Sequence, residues 1–215
     1  SGLQWVFEVS AFAFALVMIG WIGKKEQAAH QIALQLASMT YLIASGISSA
    51  ASVRVGNQLG MSRKSKNPSL GGKNTSALRE AVFSAFAMVI ISQVIFAGLF
   101  IASRFALPVL FNHETEVREI VSSLLLIAAL FQLSDGVQVV ALGVLRGIED
   151  TKIPTWITFI SYWLIGLPCS YAFAFIFGFG VQGIWYGLTI ALTLAAILLY
   201  LRFNFVTKRM EFLDR

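Results

Sequence analysis

The segment FQLSDGVQVVALGVLRGIEDTKIP (residues 131–154) is a long apolar run that contains one carboxylate, Asp135, and ends in charged residues. A helix that crosses the hydrocarbon core of a bilayer needs about 20 mostly apolar residues. An aspartate near the centre of such a helix costs about 2.5–3.5 kcal/mol by insertion measurements, so it is a functional candidate by default. The segment therefore predicts a membrane-spanning helix in which Asp135 has a role.

The composition of the whole chain favours an integral membrane protein. Of the 215 residues, 57% are apolar and 13% are charged, and the mean hydropathy is +0.76. Soluble domains carry about 25% charged residues, so this chain lacks the polar residues to cover a soluble core. The net charge of +5 does not indicate nucleic-acid binding, because the basic residues cluster between the apolar segments, where a cytoplasmic membrane face requires them.

Six apolar segments are long enough to span a membrane, at about residues 3–22, 28–55, 79–103, 118–145, 153–177 and 181–201. They are continuous runs and not the alternating segments of a transmembrane barrel, and helices satisfy their backbone groups within lipid. We therefore predict an all-α integral membrane fold, a single six-transmembrane-helix bundle over residues 1–215. The basic, Gly- and Ser-rich segment at 61–79 is predicted to be a flexible connector.

The basic residues divide unequally between the two sides of this bundle. Eleven lie after the second, fourth and sixth spans, and four lie in the opposite loops. The first set is Arg63, Lys64, Lys66, Lys73, Arg79, Arg146, Lys152, Arg202, Lys208, Arg209 and Arg215; the second is Lys24, Lys25, Arg104 and Arg118. The positive-inside rule places the first set, and with it both chain ends, in the cytoplasm. We call that side the inner side.

Polar side chains within the spans form the candidate site. Glu8 in the first span and Asp135 in the fourth are the two intramembrane carboxylates. Further candidates for contacts in a cavity are Gln4, one turn from Glu8, Gln35 in the second span, and Gln132 and Gln138, which share one arc of the fourth span with Asp135. Binding of a proton or a sodium ion removes the cost of a buried carboxylate and so biases one conformation over another. This pattern predicts an ion-coupled transporter; the alternative is a pair of neutral acids hydrogen-bonded between helices.

Other features of the spans have structural explanations. Small residues four apart (Gly56 and Gly60, Gly143 and Gly147, Gly183 and Gly187) are typical of close helix packing. Pro168 is expected to kink the fifth span. His30 and His113 fall near outer ends of spans and are predicted to be interfacial.

Enzymatic interpretations have little support in the sequence. It contains no His–Cys metal cluster, no Ser–His–Asp set on one face and no Gly-rich phosphate loop. We therefore predict no enzymatic activity and no cofactor, with H⁺ or Na⁺ as the coupling ion and a possible Na⁺ site at Glu8 and Asp135.

Three stretches resemble the multidrug and toxic compound extrusion (MATE) family: AASVRVGNQLG (50–60), QVVALGVLRGIEDTKIP (138–154) and GLPCSYAFAFIFGFGVQGIWYGL (166–188). The resemblance covers the whole chain but only the C-terminal half of a family member. It implies one lobe of a twelve-helix, two-lobed antiporter that exports drugs or other cationic or amphipathic small molecules from the cell. The N-terminal lobe, absent from this chain, is then a required partner, and the setting is the lipid bilayer of the plasma membrane.

The resemblance also implies roles for individual residues. In the bacterial branch, a glutamate in the seventh helix and an aspartate in the tenth help to bind the coupling cation, and these correspond to Glu8 and Asp135. Phe131 stands where members of that branch can have a tyrosine, and its ring face can meet a cation without offering a hydroxyl oxygen. Gln35 stands where some eukaryotic members have an acidic residue, which favours a bacterial type and a bacterial inner membrane.

Two alternatives remain open from the sequence. A flippase-like transporter of lipid-linked or other metabolites would keep the fold, but its cavity should carry more positive charge to meet phosphate. A non-transporting membrane protein or membrane enzyme would be favoured if Glu8 and Asp135 faced lipid or separate helix interfaces.

Overall fold

The computed structural model describes residues 2–64 and 68–213, with side chains described for 2–61 and 77–209. All elements in this part of the chain are helical. They are α1 (Gly2–Ile22), α2 (Lys24–Lys64), α3 (Pro68–Ser103), α4 (Leu107–Phe111), α5 (Thr115–Gly147), α6 (Lys152–Phe159), α7 (Leu167–Tyr171) and α8 (Gly180–Leu213), with π-helical turns at Ile160–Gly166 and Ala172–Ile176.

Six of the described helical segments are long and apolar enough to cross a membrane, which confirms the predicted six-helix, all-α fold. They are α1, α2, α3, α5, the continuous segment Lys152–Ile176, which we call the fifth span, and α8. Large apolar side chains such as Leu42, Phe83 and Ile176 are exposed on the outside of the bundle. That surface suits contact with lipid and would be a liability in water.

The predicted connector between the second and third spans is mostly helical. The helix α2 continues to Lys64 and α3 begins at Pro68, so the prediction of a flexible segment over 61–79 is wrong for all but 65–67, which lie outside the described residues. Once a helix is nucleated, each added residue contributes a further hydrogen bond. The anchored spans therefore extend beyond the apolar region, which composition alone does not predict.

The helix α5 lies at the centre of the bundle and packs against α2, α3 and α8. Two glycines allow α2 to approach closely: a Cβ atom at Gly143 would lie 2.5 Å from the Ser48 carbonyl oxygen, and one at Gly147 would lie 2.6 Å from that of Ser52. Gly183 and Gly187 similarly allow α8 to approach the backbone of the fifth span.

The small-residue prediction therefore holds for two of its three pairs. At the third pair the approach is looser: a Cβ at Gly56 would make ordinary contact, 3.6 Å from the Gly147 carbonyl oxygen of α5, and one at Gly60 would meet none of the described residues within 4 Å.

The fifth span changes its helical pattern around Pro168. Proline lacks an N–H group, and its ring displaces the carbonyl four residues earlier. The structure has a π-helical turn on each side of α7, and the Leu167 N–H donates to the Tyr162 carbonyl, five residues back. This i→i+5 pattern defines the π-helix, which occurs mostly as single turns and often at functional sites.

Candidate functional site

Glu8 and Asp135 line the same cavity. This space of about 250 Å³ lies between α1, α2 and α5, and we call it the carboxylate cavity. Its lining residues are Trp5, Glu8, Val9 and Phe12 from α1, Leu34, Ala37, Ser38 and Tyr41 from α2, and Phe131 and Asp135 from α5. Each set repeats at intervals of three or four residues, so one face of each helix forms the wall. Two carboxylates far apart in sequence therefore meet in one space.

The walls around the two carboxylates are mainly apolar. Among the described residues that line the cavity, none is basic. Asp135 is 7% exposed, and no hydrogen bond from the described residues reaches its carboxylate. A negative charge in such surroundings is costly unless a cation or proton compensates it. The cavity offers carboxylate and hydroxyl oxygens, which are the ligands that hard cations prefer. They belong to Glu8, Asp135, Ser38 and Tyr41.

Two polar side chains from other helices hold Glu8. Gln138 Nε2 donates to Glu8 Oε1 at 3.4 Å, and the buried Tyr162 hydroxyl lies 3.5 Å from the same oxygen. The Tyr162 hydroxyl also lies 3.0 Å from Gln138 Oε1. A tyrosine hydroxyl has a single hydrogen to donate, and the shorter distance favours donation to Gln138. The three side chains thus form a connected polar cluster in which Gln138 links Tyr162 to Glu8.

Tyr162 is the residue of this site that sequence reasoning missed. It lies in the π-helical turn Ile160–Gly166, in a stretch of aromatic residues that is typical of a lipid-facing surface. The nearby Pro168 was a signal that the span is irregular, but neither residue indicates which neighbour the hydroxyl meets.

Gln4 and Phe131 each line a cavity. Phe131 lines the carboxylate cavity, and its ring contacts Phe12 and Trp185 with centroid distances of 6.0 and 5.3 Å. Gln4 donates to Thr158 Oγ1 at 3.3 Å and lines an adjacent cavity of about 200 Å³ between α1, α2 and α5. We call this second space the serine cavity, because Ser45, Ser48 and Ser49 line it.

The structure does not bring Gln132 and Gln35 to the carboxylate cavity. Gln132 is buried against α3, where its Nε2 donates to the Gln93 carbonyl at 3.3 Å. Positions three apart on an α-helix differ in direction by about 60°, so Gln132 and Gln138 lie about 120° apart. Gln132 therefore faces α3, whereas Gln138 faces Glu8 of α1. Gln35 is exposed, because the cavity face of α2 carries residues 34, 37, 38 and 41.

The prediction that His30 is interfacial is wrong. Its side chain is fully buried, and its Nδ1 accepts a hydrogen bond of 3.1 Å from Trp185 Nε1. Helix α2 begins at Lys24, so His30 lies more than one turn inside it and packs between helices.

Within residues 2–61 and 77–209, no group of three or more His, Cys, Asp or Glu side chains is arranged to hold a metal ion. Glu8 and Asp135 offer carboxylate oxygens, which are hard ligands, to the carboxylate cavity.

Comparison with known proteins identifies the family. The MatE family model matches residues 1–67 and 68–172. Proteins named "Probable multidrug resistance protein NorM" are similar over nearly the whole chain: that of Agrobacterium fabrum is 41% identical over 94% of this chain, and that of Rhizobium meliloti is 37% identical over 95%. The chain spans only 42% of the length of each.

Solved structures agree with this assignment. The eukaryotic MATE transporter AtDTX14 matches 95% of this chain with a TM-score of 0.81 and 25% identity, and the chain covers 45% of it. A MATE structure in a bent conformation matches 99% of the chain with a TM-score of 0.86 and 16% identity, which shows the shared fold. The partial coverage agrees with the match to a C-terminal half that the sequence motifs indicate. The chain belongs to the MatE family, whose members are membrane transporters and not enzymes.

Proposed function

We propose that this chain is the C-terminal lobe of a multidrug efflux transporter, and that H⁺ or Na⁺ binds between Glu8 and Asp135 to drive export of cationic or amphipathic small molecules. The names of the NorM relatives support drug export as the cargo activity. One observation carries the cation site: both carboxylates line one cavity whose described lining residues include no basic side chain.

The proposed coupling follows from the cost of buried charge. With no cation bound, two carboxylates share a mainly apolar cavity and repel each other. A conformation that hydrates them is then favoured, whereas cation binding removes the repulsion and allows a closed conformation. Gln138, which is itself bonded to Tyr162, holds Glu8, so the position of this carboxylate is defined before the cation arrives.

The alternatives are less well supported. A flippase for phosphate-bearing lipids needs positive charge along its path, and the only basic residue among those that line the two described cavities is Arg146. A non-transporting protein with two unrelated carboxylates does not explain why Glu8 and Asp135 line one space. We place the transporter in the bacterial inner membrane, with both ends of this chain on the cytoplasmic side.

The test is a liposome assay of the full-length transporter with an imposed gradient of H⁺ or Na⁺ and a fluorescent lipophilic cation as cargo. We expect an opposing gradient of one of these ions to drive the cargo uphill. Cargo movement that is indifferent to both gradients would contradict the proposed coupling, and absence of cargo movement under every condition would contradict drug export.

A further inference from the structure

The serine cavity lies directly beside the carboxylate cavity. Trp5, Glu8 and Tyr41 line both spaces, so Glu8 stands on the wall that they share. Beyond this wall the serine cavity is lined by the hydroxyl groups of three serines on α2, the Gln4 amide and Arg146. Its polar lining differs from the mainly apolar walls around Asp135, and it suits water or a hydrated ion.

The three serines follow the course of α2 toward the inner end. Ser45 and Ser49 are one turn apart, and Ser48 lies between them and donates to the Val139 carbonyl of α5 at 2.7 Å. Each serine oxygen keeps lone pairs that can coordinate a cation or accept a hydrogen bond from water. The spacing forms a row of oxygen atoms on the face of α2 that meets α5.

The charges on the two sides of Glu8 are opposite. The carboxylate cavity is also lined by Asp135, and the serine cavity is also lined by Arg146. Arg146 lies in the last turn of α5, about 16 Å along the helix axis from Asp135 at 1.5 Å per residue. Among residues 2–61 and 77–209, no side chain forms an ion pair or hydrogen bond with the Arg146 guanidinium, which is exposed to solvent at this end of the cavity.

We propose that the serine cavity is the inner exit route of the coupling cation, and that Arg146 promotes release of the cation from Glu8. This inference rests on the proposed cation site at Glu8 and Asp135. A cation held by two carboxylates moves, along this route, into a space that contains one carboxylate and one fixed positive charge. Repulsion from Arg146 lowers cation occupancy on this side, while serine and glutamine oxygens replace part of the hydration shell during passage.

The first experiment removes the positive charge. In inverted membrane vesicles the cytoplasmic face meets the medium, so cytoplasmic Na⁺ or pH is set directly while export of a fluorescent cation is measured. We expect Arg146→Gln to lower by about three- to tenfold the cytoplasmic cation concentration that half-inhibits export, because release becomes less favourable. Arg146→Lys keeps the charge and should behave as wild type.

Lys152→Gln is the matched control, because it removes a positive charge from an exposed residue at the same end of the bundle that lines neither cavity. Equal cation inhibition in wild type and Arg146→Gln would overturn the role of Arg146. Absence of cation-driven export in the wild-type protein would contradict the proposed function itself. The second experiment would then still test the route.

The second experiment measures access to the cavity. Single cysteines replace Ser45 or Ser49 in a full-length transporter from which Cys169 and every other native cysteine have been removed. A membrane-impermeant thiol reagent should label both positions from the cytoplasmic side. Ser134→Cys is the control, because Ser134 faces Thr193 of α8 outside both cavities and should stay unlabelled. Labelling from the outer side only, or of neither cysteine, would overturn the route.

Discussion

The Tyr162 hydroxyl lies 3.0 Å from the Gln138 amide oxygen, a contact between a π-helical turn of the fifth span and the central helix α5. Because the Gln138 amide nitrogen in turn donates to Glu8, this contact fixes which way the amide faces. Tyr162 is therefore a positioning residue for the proposed cation site.

Removal of the Tyr162 hydroxyl should weaken cation binding. Tyr162→Phe keeps the ring but loses a buried hydrogen bond, worth about 0.5–1.5 kcal/mol. We expect an increase of up to about tenfold in the cation concentration that half-saturates transport, with drug affinity unchanged. Tyr171→Phe, an exposed tyrosine of the same span, is the control. A cation dependence identical to wild type in Tyr162→Phe would show that the hydroxyl does not position Glu8.

Neutralisation of Asp135 should abolish drug export. Asp135→Asn removes one of the two negative charges of the carboxylate cavity but keeps the size of the side chain. We expect export in the full-length protein to fall by more than about tenfold, while membrane insertion is intact, because an uncharged residue is easier to insert. The measurements are drug efflux from cells that express the transporter and the amount of the protein in their membrane.

Glu119→Gln on the same helix is the control for Asp135→Asn, because Glu119 is exposed and outside both cavities. If the Asp135→Asn variant exported drug at the wild-type rate, this residue would not belong to the cation site.

A methyl group at Gly143 should separate α2 from α5. The added Cβ would lie 2.5 Å from the Ser48 carbonyl oxygen, which is backbone and cannot rotate away. We expect Gly143→Ala to destabilise the full-length protein by about 1–3 kcal/mol, the usual cost of overpacking, and to lower its thermal unfolding midpoint in detergent. In Gly98→Ala the new Cβ meets nothing within 4 Å, so that variant should unfold close to wild type. Equal midpoints would mean that the two helices can move apart without cost.

The ion pair between Arg202 and Asp150 should contribute more to stability than the pair between Lys25 and Glu116. Arg202 Nε lies 2.7 Å from Asp150 Oδ2, and the two side chains are only 23% and 15% exposed. Those of Lys25 and Glu116 are 49% and 70% exposed, so water screens them. We expect Arg202→Gln to cost about 1–3 kcal/mol, and Lys25→Gln to leave stability close to that of wild type, as measured by thermal unfolding. The reverse order would contradict the burial argument.

The spans and the two carboxylates could be predicted from the sequence because both rest on large free-energy terms. A run of about 20 apolar residues has few alternatives to a membrane helix. A carboxylate within the membrane costs so much free energy that its presence indicates a functional role. That Glu8 and Asp135 line one cavity depends on tertiary packing, which could not be predicted from the sequence.

Uncharged polar residues could not be placed in this way. Gln35, Gln132 and Gln138 have the same side chain, yet one is exposed, one bonds to the backbone of α3 and one bonds to Glu8. An amide side chain costs little more at one helix face than at the next, so packing decides its neighbour. His30 and Tyr162 show the same limit, since each bonds to a side chain of another helix.

The π-helical turns of the fifth span also set a condition on its length. A π turn holds one residue more than an α turn, so residues beyond it are rotated by about 100° relative to an uninterrupted α-helix. Tyr162, within the first π-helical turn, meets Gln138, and Ser170, beyond that turn, donates to the Ile184 carbonyl of α8 at 3.1 Å. Deletion of one residue between them would restore α-helical phase but turn one of these side chains away from its partner. The segment can therefore exchange one apolar residue for another more readily than it can lose one.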